Sequence, residues 1–107
     1  MEIIKRNGEV VRFYADKIVD AVTKAMNETE TGVDFKLALE IATKIHTKYS
    51  KSNTVPTVEQ VQDDVENMLM DSNRKDVAKR YIIYRNEKEQ LRLQGWKMTE
   101  LQRDIYE

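Results

Sequence analysis

The stretch Ile3-Ile4-Lys5-Arg6-Asn7-Gly8-Glu9-Val10-Val11-Arg12-Phe13 decides the architecture. Two short runs rich in β-branched residues flank Asn7-Gly8. An Asn-Gly pair suits a type I′ turn, because both central positions of that turn need positive φ. The spacing predicts a β-hairpin with a two-residue loop, setting Arg6 opposite Glu9, Ile4 opposite Val11 and Glu2 opposite Phe13. In that register Ile4, Val11 and Phe13 share one face, while Ile3 and Val10 share the other. Both faces carry apolar groups, and an isolated hairpin is marginal in water, so this one is expected to pack on helices.

Downstream the period changes from two to 3.6. Asp16 reads as the N-cap of a first helix whose buried stripe is Ile18, Ala21, Val22, Ala25 and Met26. Residues 27–32 read as a loop. Asp34 then caps a second helix with Leu37, Ala38, Ile41, Ile45 and Tyr49 on one face, and residues 50–54 break it. Pro56-Thr57 opens a third helix. Thr57 and Gln60 have the spacing of a capping box, in which each side chain satisfies the other residue's backbone amide. Val58, Val61, Val65, Met68 and Leu69 form its apolar face. After Asp71-Ser72-Asn73 a fourth helix carries Val77, Ala78, Tyr81, Ile82 and Tyr84, with Leu91 and Leu93 near its end and Gly95 closing it. The expected fold class is α+β: an N-terminal β-hairpin cap on a four-helix bundle.

Size and composition bound the rest. A chain of 107 residues suits one domain able to bury about two-thirds of its unfolded surface. It has no cysteine, which excludes disulfides, thiolate metal sites and thiol nucleophiles. Charged residues make up 35%, yet the formal net charge is only -1, which argues against a dedicated nucleic-acid binder. A local cluster of cations still suffices for a small anion. No stretch approaches the roughly 20 apolar residues of a membrane span, and the opening residues lack the apolar core of a signal peptide. The expectation is a cytoplasmic protein that engages neither membrane nor nucleic acid.

Catalytic chemistry has little support in the sequence. With glycines only at 8, 32 and 95, neither a phosphate-binding P-loop nor a dinucleotide-binding glycine turn is present. His46 is the sole histidine, so no zinc site and no specific Ser-His-Asp set can be assembled. What the chain offers instead is cations at element ends. Lys5 and Arg6 sit at the hairpin tip and Lys17 at the start of the first helix. Arg85 and Lys88 follow Tyr84 on the fourth. If the hairpin folds over the helix ends, these groups can converge on a polyphosphate, and a helix N-terminus itself favours anions. Phe13 and Ile18 could then flank a base. The competing reading is solvated surface cations and a core isoleucine.

Three blocks carry a resemblance. Ile4 to Phe13 followed by Lys17-Ile18-Val19-Asp20-Ala21-Val22 resembles the opening of the ATP-cone family, which reads Lys-Arg-Asp/Asn-Gly and then Lys-Ile leading into a helix. Residues 56–66 and 77–85 match the family's later blocks in order and spacing, and together the blocks cover most of residues 2–88. The resemblance implies a cone domain over residues 1–93, while 94–107, with Trp96, looks like the linker that leads into the catalytic barrel of some large ribonucleotide reductase chains. It implies an allosteric regulatory domain that binds ATP or dATP with Mg²⁺ and does no chemistry of its own. ATP favours the active enzyme in that family, and dATP an inhibited oligomer. The implied partners are the reductase's catalytic domain or other subunits, with a homo-oligomer as a further possibility.

Carried over residue by residue, Lys5 and Arg6 match the basic pair near the nucleotide, and Lys17 matches the helix-start lysine on phosphate. Ile3 and Ile18 match apolar neighbours of the base. Val11 stands where some cones use Glu to read the adenine amino group, and Gln62 stands near a position often held by His or Gln. Tyr84 and Arg85 match the end of the third block, and Arg85 or Lys88 is the distal phosphate cation. Two alternatives stay open: a degenerate cone that serves as a protein-interaction or oligomerisation module, and the cone of a transcriptional repressor of reductase genes. The repressor carries a cysteine zinc ribbon ahead of the cone. The lack of cysteine, and of room before residue 2, favours the reductase.

Overall fold

The computed structural model describes residues 1–94; the expectations for Gly95 and the Trp96 tail lie outside them. Two strands, β1 (Glu2–Ile4) and β2 (Val10–Arg12), precede four helices, α1 (Asp16–Asn27), α2 (Phe35–Ser52), α3 (Val58–Asp71) and α4 (Lys75–Leu93). The α+β hairpin-on-bundle architecture is the one the periodicities predict.

The hairpin forms with its register moved by one residue. Ile3 pairs with Val11, Ile4 with Val10 and Glu2 with Arg12. The turn explains the shift. Gly8 has positive φ (+88°) but Asn7 does not, so the type I′ turn does not form. Instead the Gly8 amide donates to Lys5 O and the Lys5 amide to Glu9 O, both at 2.8 Å. The loop is thus three residues, Arg6-Asn7-Gly8, with glycine supplying the left-handed step. Asn7 stabilises it by accepting from the Glu9 amide at 3.0 Å. A one-residue slip exchanges faces. Ile3, Val11 and Phe13 now point inward together, Ile3 1% and Phe13 3% exposed, while Val10 is 50% exposed.

The hairpin does not stand alone at its edge. The Ile4 amide donates to Pro56 O at 2.8 Å, and Ile4 forms a parallel bridge with Thr57. The residues just before α3 therefore act as a third strand-like partner. They are pinned by the expected capping box, in which Thr57 Oγ1 accepts from the Gln60 amide at 3.1 Å and Gln60 Oε1 from the Thr57 amide at 2.9 Å.

Helix starts differ in one place from expectation. Asp34 caps α2 by accepting from the Leu37 amide. Asp16, by contrast, is the first residue of α1 and not its cap. Ala15 is already helical, and the Lys17 and Ile18 amides close a tight turn onto Tyr14 O and Ala15 O. The Asp16 carboxylate then sits in the first turn, where the helix dipole favours it.

The helices run up and down. Arg74, preceding α4, donates to Gly32 O at 2.8 Å and Thr29 Oγ1 at 3.1 Å, and Arg80 pairs with Glu28 at 3.6 Å. The start of α4 thus lies at the end of α1, and the two are antiparallel. Lys48, late in α2, donates to Asp64 in the first half of α3 at 2.8 Å, and Tyr49 also donates to Asp64. Burial pushes the Tyr49 phenol pKa up, and the bond to Asp64 adds to that shift. In α4, Val77, Ala78, Tyr81 and Lys88 make the buried face. Ile82, expected in the core, is one step round from Tyr81 and faces solvent at 40% exposure.

The register is testable by denaturation. Ile3→Ala should cost about 2–5 kcal/mol as a core cavity, whereas Val10→Ala should stay within about 0.5 kcal/mol. Similar costs for the two variants would restore the two-residue loop, which sets Ile3 and Val10 on one face.

Candidate functional site

This topology gathers distant pieces at one end of the bundle. The hairpin base feeds directly into the start of α1. The hairpin tip lies on the start of α3, where Arg6 Nε meets Glu59 Oε1 at 3.2 Å. The second half of α4 returns to the same end, where Arg85 reaches Glu59 Oε2 at 3.0 Å, Asp63 Oδ1 at 2.8 Å and Glu66 Oε1 at 3.5 Å. Two helix N-termini, those of α1 and α3, therefore face the hairpin end, each contributing a partial positive charge.

The expected site residues divide into three groups. Arg6 and Arg85 are brought together, with the Glu59 carboxylate between them. Lys5 is next to this pair. It joins Ile4, Arg6, Gly8, Thr57, Val58 and Glu59 around a shallow groove of about 400 Å³, with its ammonium 3.9 Å from Glu9.

The second group belongs to the core. Ile3, Phe13 and Ile18 are buried, and Val11 is half-buried against them. Gln62, only 1% exposed, is buried on the inner face of α3.

The third group points elsewhere. Lys17 is exposed at the hairpin base. From Glu9, the partner of Lys5, four residues of extended chain lead to Phe13, or about 13 Å at strand rise. Lys17 and the tip thus flank the hairpin from opposite ends. Tyr84 lines a second groove between α1 and α4, with Lys24, Glu28, Arg80 and Glu87. Lys88 is 8% exposed, its ammonium 5.5 Å from the centre of the Tyr84 ring.

Sequence reasoning missed the carboxylates. Glu59, Asp63 and Glu66 follow one another at i, i+4 and i+7, so they form one acidic stripe on α3. That spacing was the available signal. The stripe engages Arg85, whose side chain is only 19% exposed. Partial burial disfavours the charged guanidinium, but hydrogen bonds to Asp63 and Glu59 more than offset that and hold its pKa above the ordinary arginine range. No group of three or more His, Cys, Asp or Glu side chains suited to a metal ion occurs among the described residues. No helix among them is long and apolar enough to cross a membrane.

A hairpin closing the end of an up-and-down helical bundle, with arginines from tip and bundle converging beneath it, defines a small capped helical domain of the cone type. The chain belongs to the ATP cone domain family, whose sequence model matches residues 1–90. It is 40% identical over 96 residues to a vitamin B12-dependent ribonucleoside-diphosphate reductase of Thermoplasma acidophilum, covering 85% of this chain and 12% of that one. It is 36% identical over 98 residues to the ribonucleoside-diphosphate reductase subunit alpha of Chlamydia pneumoniae, covering 80% and 9%. With the anaerobic ribonucleoside-triphosphate reductase of Haemophilus influenzae it shares 28% identity over 100 residues, covering 91% and 14%. The chain thus corresponds to a small part of each of these reductases.

Arg85→Ala should lower stability by about 1 kcal/mol, the upper end for partly exposed ion pairs, because one guanidinium serves three carboxylates as a network. Arg85→Lys should recover only part of that, since one ammonium cannot span the set as a planar fork does. Urea denaturation of the two variants beside the wild type measures both.

Proposed function

We propose that this chain binds ATP or dATP at the hairpin end of the bundle and acts as an allosteric regulatory domain for a ribonucleotide reductase, without catalysing a reaction itself. The observation that carries this is the convergence of the basic hairpin tip, two helix N-termini and Arg85 on one end of a domain of the ATP cone family. Each helix start favours anions, and each cation adds a charge-assisted hydrogen bond.

In this reading Lys5, Arg6 and Arg85 hold phosphates near the tip, with Lys88 on the same side of α4 and Lys17 at the hairpin base. Ile3, Val11, Phe13 and Ile18 supply apolar contact to the base and Gln62 a polar contact, while Tyr84, in the groove between α1 and α4, stands outside this set. Because Ile3, Phe13 and Ile18 are 1%, 3% and 0% exposed, a base meets their edges only as the hairpin lifts. Binding is thereby coupled to hairpin position, which gives the ligand a differential affinity for two conformations, the requirement for any allosteric effect. Mg²⁺ travels on the phosphate oxygens and keeps most of its waters.

Telling ATP from dATP means sensing one hydroxyl, worth roughly 0.5–1.5 kcal/mol when hydrogen-bonded. A coupling of about 1–3 kcal/mol to the reductase's catalytic domain or other subunits is enough for regulation.

Isothermal titration with ATP, dATP and GTP in the presence of Mg²⁺ tests the reading. Saturable binding of the adenine nucleotides, with GTP weaker, is expected. Lys5→Ala and Lys17→Ala should each weaken ATP and dATP together by about tenfold, the cost of one charged hydrogen bond. Absence of binding to all three nucleotides would remove the proposal and favour a protein-interaction role.

A further inference from the structure

We infer that Glu59 is an internal counter-anion: its carboxylate holds the place between Arg6 and Arg85 that a phosphate takes, so nucleotide binds by exchange with this side chain. The inference rests on the nucleotide-binding reading above and deepens it.

Geometry is the first argument. The two oxygens of one carboxylate serve different guanidiniums, Oε1 that of Arg6 at 3.2 Å and Oε2 that of Arg85 at 3.0 Å. The arginines come from the hairpin tip and from α4, so this single anion ties the cap to the bundle. An anion bridging two forked cations from separate elements is the arrangement that phosphate recognition uses.

Exposure supplies the second argument. The Arg6 and Arg85 side chains are 22% and 19% exposed, but that of Glu59 is 54% exposed. The cations are embedded and the anion faces outward, so the anion is the exchangeable member. Arg85 is also divided. Its Nη1 is held by Asp63 and Glu66, which anchor the side chain, while its Nη2 serves Glu59. Swinging Glu59 away opens Arg85 Nη2 to a ligand without releasing Arg85 from α3.

Position supplies the third. Glu59 lies in the first turn of α3, where the helix dipole favours negative charge, its own or a ligand's. It also borders the groove of about 400 Å³ shared with Lys5, Gly8 and Thr57, which gives an incoming phosphate room and a further cation. While Glu59 is in place the hairpin tip is latched. Phosphate in its place leaves the tip tied to the ligand and no longer to α3.

The test compares the wild type, Glu59→Gln, and Glu28→Gln. The last removes the same charge at the opposite end, where Glu28 pairs with Arg80 at 3.6 Å. Titration with ATP and Mg²⁺ should show Glu59→Gln binding roughly two- to fivefold tighter, the range of a partly exposed ion pair, with Glu28→Gln like wild type. Without nucleotide, hydrogen exchange at the Lys5 and Gly8 amides should quicken in Glu59→Gln alone. If wild type binds ATP and Glu59→Gln binds equally or less well, the nucleotide site stands and the counter-anion role is overturned. If wild type fails to bind ATP, the nucleotide reading falls and the counter-anion role falls with it. Unchanged exchange at the tip overturns the latch whatever the nucleotide does.

Discussion

The hydrogen bond from the Ile4 amide to the Pro56 carbonyl is the constraint on which the functional end depends. A two-stranded hairpin of three-residue strands has too few pairs to hold itself in water. Borrowing a partner from the segment before α3 gives it a fixed place. That segment is itself rigid, because Pro56 is buried and Thr57 and Gln60 cap the helix reciprocally. The hairpin tip is consequently delivered to the first turn of α3, where Arg6 can meet Glu59.

Beneath this polar seam the inward face of the hairpin seals the core. Ile3 and Phe13 join Ile18, Val22, Val61 and Tyr81 in one contiguous apolar cluster. The apolar layer and the charged network divide the labour. The first holds the cap by a non-directional force, and the second sets its angle by directional charge pairs. A cap held in this way can tilt without the bundle unfolding, because the helices keep their own ties. These are Arg74 to the α1–α2 loop, Lys48 and Tyr49 to Asp64, and Arg85 to Asp63.

Antiparallel helices make the site's composition a consequence of topology. In an up-and-down bundle, α1 and α3 begin at one end and α2 and α4 finish there. The hairpin end therefore receives two positive dipole ends together with the last turns of the helix that carries Arg85 and Lys88. Acidic residues accumulate at the same end for the same reason: Asp16 and Glu59 each occupy a first turn. The result is a balanced charge network in which the cations at the hairpin end have carboxylate company.

Much of the fold was legible in the chain itself. Helical periodicity locates all four helices, and the capping signals at Asp34 and Thr57 act as read, because both depend on contacts within four residues. Gly8 likewise marks the turn. The cations at the hairpin end were legible as residue types, and the acidic stripe at 59, 63 and 66 was legible as spacing. Tertiary structure decided the rest. The hairpin register was settled by which isoleucine could be buried, and a difference of one residue there reverses every side chain. Asp16 became a first-turn residue because the entry to α1 closes on Tyr14 and Ala15. Ile82 and Tyr84 were turned away from the core and the tip by the rotation of α4. The pairing of Arg6 with Arg85 through Glu59 joins residues 53 and 26 positions apart, a distance over which local propensity carries no information.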